Sequence, residues 1–368
     1  MLRAALIGFA SSGKTTLFQL MTSARETARA AHGKGEVAIG VSKVPDDRLD
    51  RLTAMFNPRK RVPATVEFSD LVAAGRAPGA QALVDVAAFK NADALVHVVR
   101  AFDDPAVPHT SGSLGPARDA QAMEEELILA DLGVSERRLE RIDKDLKKSR
   151  TADLERERDV MTLCKSTLEE GRALRSLELA GDDLKRLRGF QFLSAKPLLV
   201  VLNLDESQLA ANKGAGGLER AVDAAGLGPF LTRAKTAVAG VCAKIELEIA
   251  QLESNDAAAF LADLGLSESG LDRVIRASYD LLGYISFFTV GEDECRAWSI
   301  PRHTSAQLAA GEIHSDIARG FIRAEVVAYD RLIERGTMAA CRDHGEVRLE
   351  GKEYVVQDGD IINFRFAT

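Results

Sequence analysis

A glycine-rich octapeptide near the start of the chain constrains most of what can follow. Residues 8–15 read Gly8-Phe9-Ala10-Ser11-Ser12-Gly13-Lys14-Thr15, the spacing G-x-x-x-x-G-K-[ST]. The apolar run Ala4-Ala5-Leu6-Ile7 leads into it as a strand would, and Thr16-Leu17-Phe18-Gln19-Leu20-Met21 leaves it with helical character. A strand–loop–helix is what a phosphate cradle requires, because successive backbone N–H groups and a helix N-terminus must converge on one polyanion. The expected cradle comprises Ala10, Ser11, Ser12, Gly13, Lys14, Thr15 and Thr16. Lys14 would reach the β- and γ-phosphates and stabilise charge there, and the Thr15 hydroxyl would ligate Mg²⁺. An ordinary Gly-rich turn with an incidental lysine is the plainer alternative.

The rest of the chain supplies a sheet for that loop. Val66-Glu67-Phe68-Ser69-Asp70 reads as a strand ending in an acid, the place where such enzymes hold Mg²⁺ through water, so Asp70 joins Thr15 as a metal candidate. Residues 94–99 and 197–202 are nearly continuous apolar runs. Apolar strands alternating with helices indicate a mostly parallel α/β sheet covered on both faces, with ligands at the strand C-terminal ends. The second run continues into Asn203-Leu204-Asp205-Glu206, the position of the N-x-x-D base-reading motif of small GTPases. An aspartate there accepts from guanine N1–H and its 2-amino group. The longer Glu206 suits adenine's exocyclic amine instead, although a turn with a helix cap also explains these residues. Val241-Cys242-Ala243-Lys244 follows at a distance that would close the base pocket from its other side.

Composition narrows the class. With 368 residues, 46% apolar and 28% charged, the chain suits two or three globular domains. A net charge of −7 argues against general nucleic-acid binding, so any such contact is a local patch. The four cysteines are widely spaced with no C-x-x-C pair, which fits reduced thiols. The early first strand and the absence of an 18-residue apolar run give the expectation of a cytoplasmic protein with no membrane contact.

Between Asp70 and Asn203 lies far more chain than a minimal nucleotide-binding domain needs. Leu132, Leu139, Ile142 and Leu146 step at helical spacing, as do Leu154, Met161, Cys164 and Leu168. Two such stripes joined at 149–152 predict an antiparallel helical hairpin over 121–189, with Asp153 capping the second helix. Its tip carries Lys144, Lys147, Lys148 and Arg150, which suit RNA or acidic protein, beside Asp143, Asp145 and Asp153, which suit a mixed solvated face. Beyond residue 285 short strand patterns follow, ending in a predicted hairpin of 353–356 with 361–366 around Asp358-Gly359. His314 and Asp316 read as a turn and cap.

These pieces together closely resemble the YchF family of Obg-like ATPases, within the TRAFAC class of P-loop NTPases. The resemblance is carried by VPDDRLDRL (44–52), VPATVEFSDL (62–71), DALVHVVRAFDD (93–104), VLNLDE (201–206), GLDRVIRASYDLLG (270–283), AAGEIHSDIARGFIRAEV (309–326) and VQDGDIINFRF (356–366), and it covers essentially the whole chain. It implies a discontinuous nucleotide-binding domain at 1–120 and 190–284, a coiled-coil insertion at 121–189 and a β-grasp TGS domain at 285–368. It also implies ATP in preference to GTP through Asn203 and Glu206, Mg²⁺, and contact with the ribosome or RNA through the hairpin tip and the TGS domain. No general base is visible, since this family carries a hydrophobic residue where other members of the class have a catalytic glutamine. The switch segments depart from the family pattern. Residues 32–38 lack the expected threonine, and the D-x-A-G-L signature reads Asp70-Leu71-Val72-Ala73-Ala74-Gly75. Two functions therefore fit: an ATP-hydrolysing switch, or a nucleotide-binding adaptor with little turnover.

Overall fold

The computed structural model describes residues 2–23, 37–71, 89–109, 112–212 and 216–367. Twelve strands are seen among them: β1 (Leu2–Ile7), β2 (Val37–Lys43), β3 (Lys60–Val62), β4 (Thr65–Leu71), β5 (Ala94–Arg100), β6 (Leu198–Asn203), β7 (Thr236–Val241), β8 (Tyr284–Thr289), β9 (Glu294–Pro301), β10 (Phe321–Ala328), β11 (Arg348–Glu350) and β12 (Asp360–Phe366). The chain divides into two compact units, residues 1–42 with 67–281 and residues 43–66 with 282–368. No helix among the described residues is long and apolar enough to cross a membrane.

The first unit holds a six-stranded sheet in the order β2-β4-β1-β5-β6-β7. β1, β5, β6 and β7 run parallel, with Ala4 opposite Ala94, Leu95 opposite Leu198, and Leu198 opposite Thr236. Every residue of β5 and β6 is buried, as an apolar strand between two helical layers must be. Ile7, Leu95, Val99, Val200 and Leu202 face Met123, Leu127, Ala221 and Val222 in one core. The parallel order brings the C-terminal ends of β1, β5, β6 and β7 to one edge.

The helical hairpin runs through Pro116–Lys148 and Ala152–Glu169. Ile142, Met161, Cys164 and Leu168 are buried as the stripes require, and Cys164 is a core residue. The cap is Thr151, whose hydroxyl accepts from Leu154 N at 3.3 Å. Asp153, expected in that role, lies in the first turn and pairs with Arg186.

In the second unit the sheet order is β11-β10-β12-β8-β9-β3. Phe287, Ile300, Ala324, Val326, Ile362 and Phe364 pack there against the helix Ala306–Ile313. Residues 43–66, expected within the nucleotide-binding domain, supply β3, which pairs in parallel with β9, and the helix Asp47–Phe56, which buries Leu49 and Leu52. Arg48 donates to Asp46 and, at 2.8 Å, to Asp358, and its guanidinium lies 5.2 Å from the Phe288 ring centroid. The hairpin expected at 353–366 takes another form. Ala306 N donates to Tyr354 O and Val356 N to Thr304 O, so 353–356 turns toward 304–306 and leaves β12 to pair with β10 and β8. His314 caps the helix Ser315–Arg319, its Nδ1 accepting from Asp316 N.

Candidate functional site

The helix after β1 begins at Lys14, and its first turn carries no acid, so its exposed N–H groups keep their partial positive charge. The loop before it is tightly determined. Ser11 adopts φ +63°, an uncommon left-handed conformation for serine, and Gly13 adopts φ +89°. A Cβ at Gly13 would overlap the side-chain nitrogen of Asn203, so only glycine fits there. Ala10 and Ser11 are exposed at the loop's crest, Thr16 is half-buried, and Ser12 is buried with no partner for its hydroxyl among the described residues.

Asp70, near the end of β4, is only 1% exposed. Its two carboxylate oxygens divide between the expected partners: Lys14 Nζ donates to Oδ1 at 2.8 Å and Thr15 Oγ1 to Oδ2 at 3.0 Å. A carboxylate this buried requires such pairing. The three side chains expected at phosphate and metal therefore meet at one point. Hard oxygen donors on Thr15 and Asp70 suit Mg²⁺, which takes one or two protein oxygens alongside phosphate and water.

Asn203 ends β6 and acts as a brace. Its Nδ2 donates to Ser12 O at 3.1 Å and its Oδ1 accepts from Ala243 N at 3.1 Å. One buried amide thus joins the phosphate loop to the turn after β7. The helix-cap reading of Asn203–Glu206 holds, and the cap falls on Asp205. At the head of the helix Glu206–Ala211 it forms a capping box with Gln208, whose amide also donates to Ala101 O. Glu206 is left projecting, and its Oε1 meets Lys244 Nζ at 2.5 Å. That contact holds the Lys244 ammonium above its ordinary pKa. Cys242 is buried, and burial pushes its thiol pKa up, so it is a packed core thiol rather than a reactive group.

The sequence places Lys244 in the segment expected to close the base pocket but gives its side chain no partner, and Arg100 and Glu246 have no role there. Arg100, at the end of β5, donates to Phe102 O at 3.2 Å and Asp104 O at 3.3 Å, and so shapes the loop beside the phosphate cradle. An arginine closing an apolar strand is its only sequence signal. Glu246 accepts from Gly270 N at 2.7 Å, tying the helix Ala243–Ile249 to the start of the helix Gly270–Leu281. Its other oxygen has no partner among the described residues, and burial raises its pKa to about 7. Residues 32–36 and 72–75, where the sequence departs from the expected switch patterns, lie outside the described residues.

A family model named YchF-GTPase_C, described as a protein of unknown function, matches residues 284–367. The chain is 42% identical to the ribosome-binding ATPase YchF of Bacillus subtilis, over 99% of each chain. It is 35% identical to the protein of that name from Escherichia coli O157:H7, over 98% of each. Among solved structures, the Schizosaccharomyces pombe YchF GTPase superposes with a TM-score of 0.81 at 28% identity, covering 99% of this chain and 97% of that one. The bacterial relatives are named ATPases and the yeast protein a GTPase, so the base preference is left to the residues themselves.

Proposed function

This chain belongs to the YchF family of P-loop NTPases, and from that premise we propose that it binds and hydrolyses ATP as a nucleotide-dependent switch acting on the ribosome. The observation that carries the reading is the meeting of Lys14, Thr15 and Asp70 at the N-terminus of the helix after β1. Asp70 holds Lys14 and Thr15 in place. On binding, Lys14 exchanges Asp70 for phosphate oxygens, while the backbone of residues 10–16 surrounds the same charge. Thr15 and Asp70 would hold Mg²⁺, which when bound supplies charge neutralisation at the β- and γ-phosphates. With no general base among these residues, turnover rests on positioning and electrostatics and is slow without an activator.

Asn203 positions the base loop against the phosphate loop, and Glu206 accepts from adenine's amino group. Cys242 and Ala243 wall the opposite side. Lys144, Lys147, Lys148 and Arg150 are exposed at the hairpin tip and offer cations to ribosomal RNA. The sheet of the second unit, read as the TGS-type module, supplies the other contact. The adaptor reading is not favoured, because the full-length relatives are named ATPases.

Single-turnover phosphate release from Mg·ATP, in wild type and Lys14→Ala, tests the proposal. Release that disappears in the variant is the expected result. Wild type that binds ATP yet releases no phosphate, alone or with ribosomes, would overturn hydrolysis and restore the adaptor.

A further inference from the structure

Glu206 and Lys244 come from different turns at the same sheet edge, one after β6 and one after β7. Asn203 fixes those turns to each other and to the phosphate loop through Ala243 N and Ser12 O. The carboxylate and the ammonium are in contact at 2.5 Å, and both remain open to ligand, with side-chain exposures of 47% and 73%. A base seated beside this loop therefore meets an acceptor and a donor side by side.

We propose that Lys244 is a base-specificity residue that, through its pairing with Glu206, selects adenine and rejects guanine. This rests on the reading of residues 203–206 as the base-binding turn. The selection follows from counting donors and acceptors. Adenine offers a donor at its 6-amino group beside an acceptor at N1. The Glu206 carboxylate matches the first and the Lys244 ammonium the second. Guanine in the same seat reverses both, placing O6 against the carboxylate and N1–H against the ammonium. Its other option is to present N1–H and the 2-amino group together to a bare carboxylate. Lys244 closes that option by occupying one of the two oxygens. Hydrogen-bonding sites discriminate strongly when a wrong ligand leaves polar groups unmatched.

The pair also accounts for how a glutamate can serve here. An unpaired carboxylate at this edge would favour the guanine donors whatever its length, so the change from aspartate to glutamate is insufficient by itself. The cation that completes the site lies 38 positions further along the chain.

The test measures equilibrium binding of Mg·ATP, Mg·GTP and Mg·1-deaza-ATP to the full chain, in wild type and Lys244→Ala. Lys244 is largely exposed, so the variant keeps its fold. In wild type, ATP should bind at least about tenfold tighter than GTP, and 1-deaza-ATP, lacking the N1 acceptor, about fivefold weaker than ATP. In Lys244→Ala the ATP:GTP ratio should fall about tenfold, and ATP and 1-deaza-ATP should bind alike. An ATP preference that persists in Lys244→Ala, or a 1-deaza penalty equal in both proteins, would overturn the role of Lys244 and leave the adenine site standing. Equal or tighter GTP binding by wild type would instead overturn the adenine site, and this proposal with it.

Discussion

The phosphate end of the site and its base end are built on opposite principles. At the phosphate end the ligand-facing groups are backbone N–H and one lysine, held by a carboxylate that is 1% exposed and by a glycine that no other residue can replace. At the base end the discriminating groups are two half-open side chains on separate turns. The first arrangement gives strength with no regard to the base. On the proposed reading, the second adds little affinity and decides which base is accepted. Strength and selectivity should therefore be separable by mutation.

Lys14→Ala should produce the largest effect, weakening ATP and GTP equally by about 100-fold, since it removes the charge-assisted bond to phosphate that both nucleotides share. Titration calorimetry with both nucleotides checks it, and a selective loss would show that the two ends are not independent. Gly13→Ala comes next. Its methyl displaces Asn203, so both nucleotides should weaken by about 30-fold, with melting lowered by about 2 kcal/mol in stability. This substitution is the sharpest attempt to break the separation, because Asn203 touches both ends; a changed ATP:GTP ratio would show that the brace transmits selectivity.

The base end's own support should respond to pH. Glu246 has its pKa raised to about 7, above the ordinary carboxylate range, so the folded state takes up its proton more readily than the unfolded chain does. Its contribution is fully present below the unfolded value near 4.5 and is lost as pH rises through about 7. Wild type should lose about 1–2 kcal/mol relative to Glu246→Gln between about pH 6 and pH 8. Denaturant titrations of the two proteins at both pH values would show it, and parallel pH profiles would exclude the assignment. The smallest effect belongs to Cys242. Buried with a raised pKa, it should stay unlabelled by iodoacetamide in the native protein, and Cys242→Ser should change nucleotide affinity by less than about twofold.

The same contrast explains what could be read from sequence. The phosphate loop was legible because its chemistry is local: eight consecutive residues fix the turn, the helix start and the lysine. Asn203 was legible as a site residue, though not as a brace, since its partners Ser12 and Ala243 lie far from it in sequence. A helix cap in this turn was readable because capping involves neighbours, although it falls on Asp205 and not on Asn203 or Glu206. Lys244 was legible as part of the segment closing the base pocket, but its pairing with Glu206 was not, since an ion pair across two turns has no periodicity. Arg48 and Asp358, 310 positions apart, are the extreme case, and the assignment of 43–66 to the C-terminal sheet was invisible for the same reason. The 353–356 segment misled in the other direction. Asp358-Gly359 is a genuine turn signal, but backbone partners at 304–306 outcompeted the adjacent strand.

The membership of 43–66 in the C-terminal sheet has a consequence for how the chain is made. This segment is synthesised more than 200 residues before β8 and β9. At about 5–20 residues per second, it waits roughly 10–40 s for its partners. During that time the helix Asp47–Phe56 has nowhere to bury Leu49 and Leu52, and β3 has no strand beside it. A chain that stops short of residue 282 keeps that apolar stripe uncovered while the rest of its first unit has all its residues in hand. Truncation is thereby advertised at the opposite end of the polypeptide from the break, as a surface that chaperones and proteases recognise.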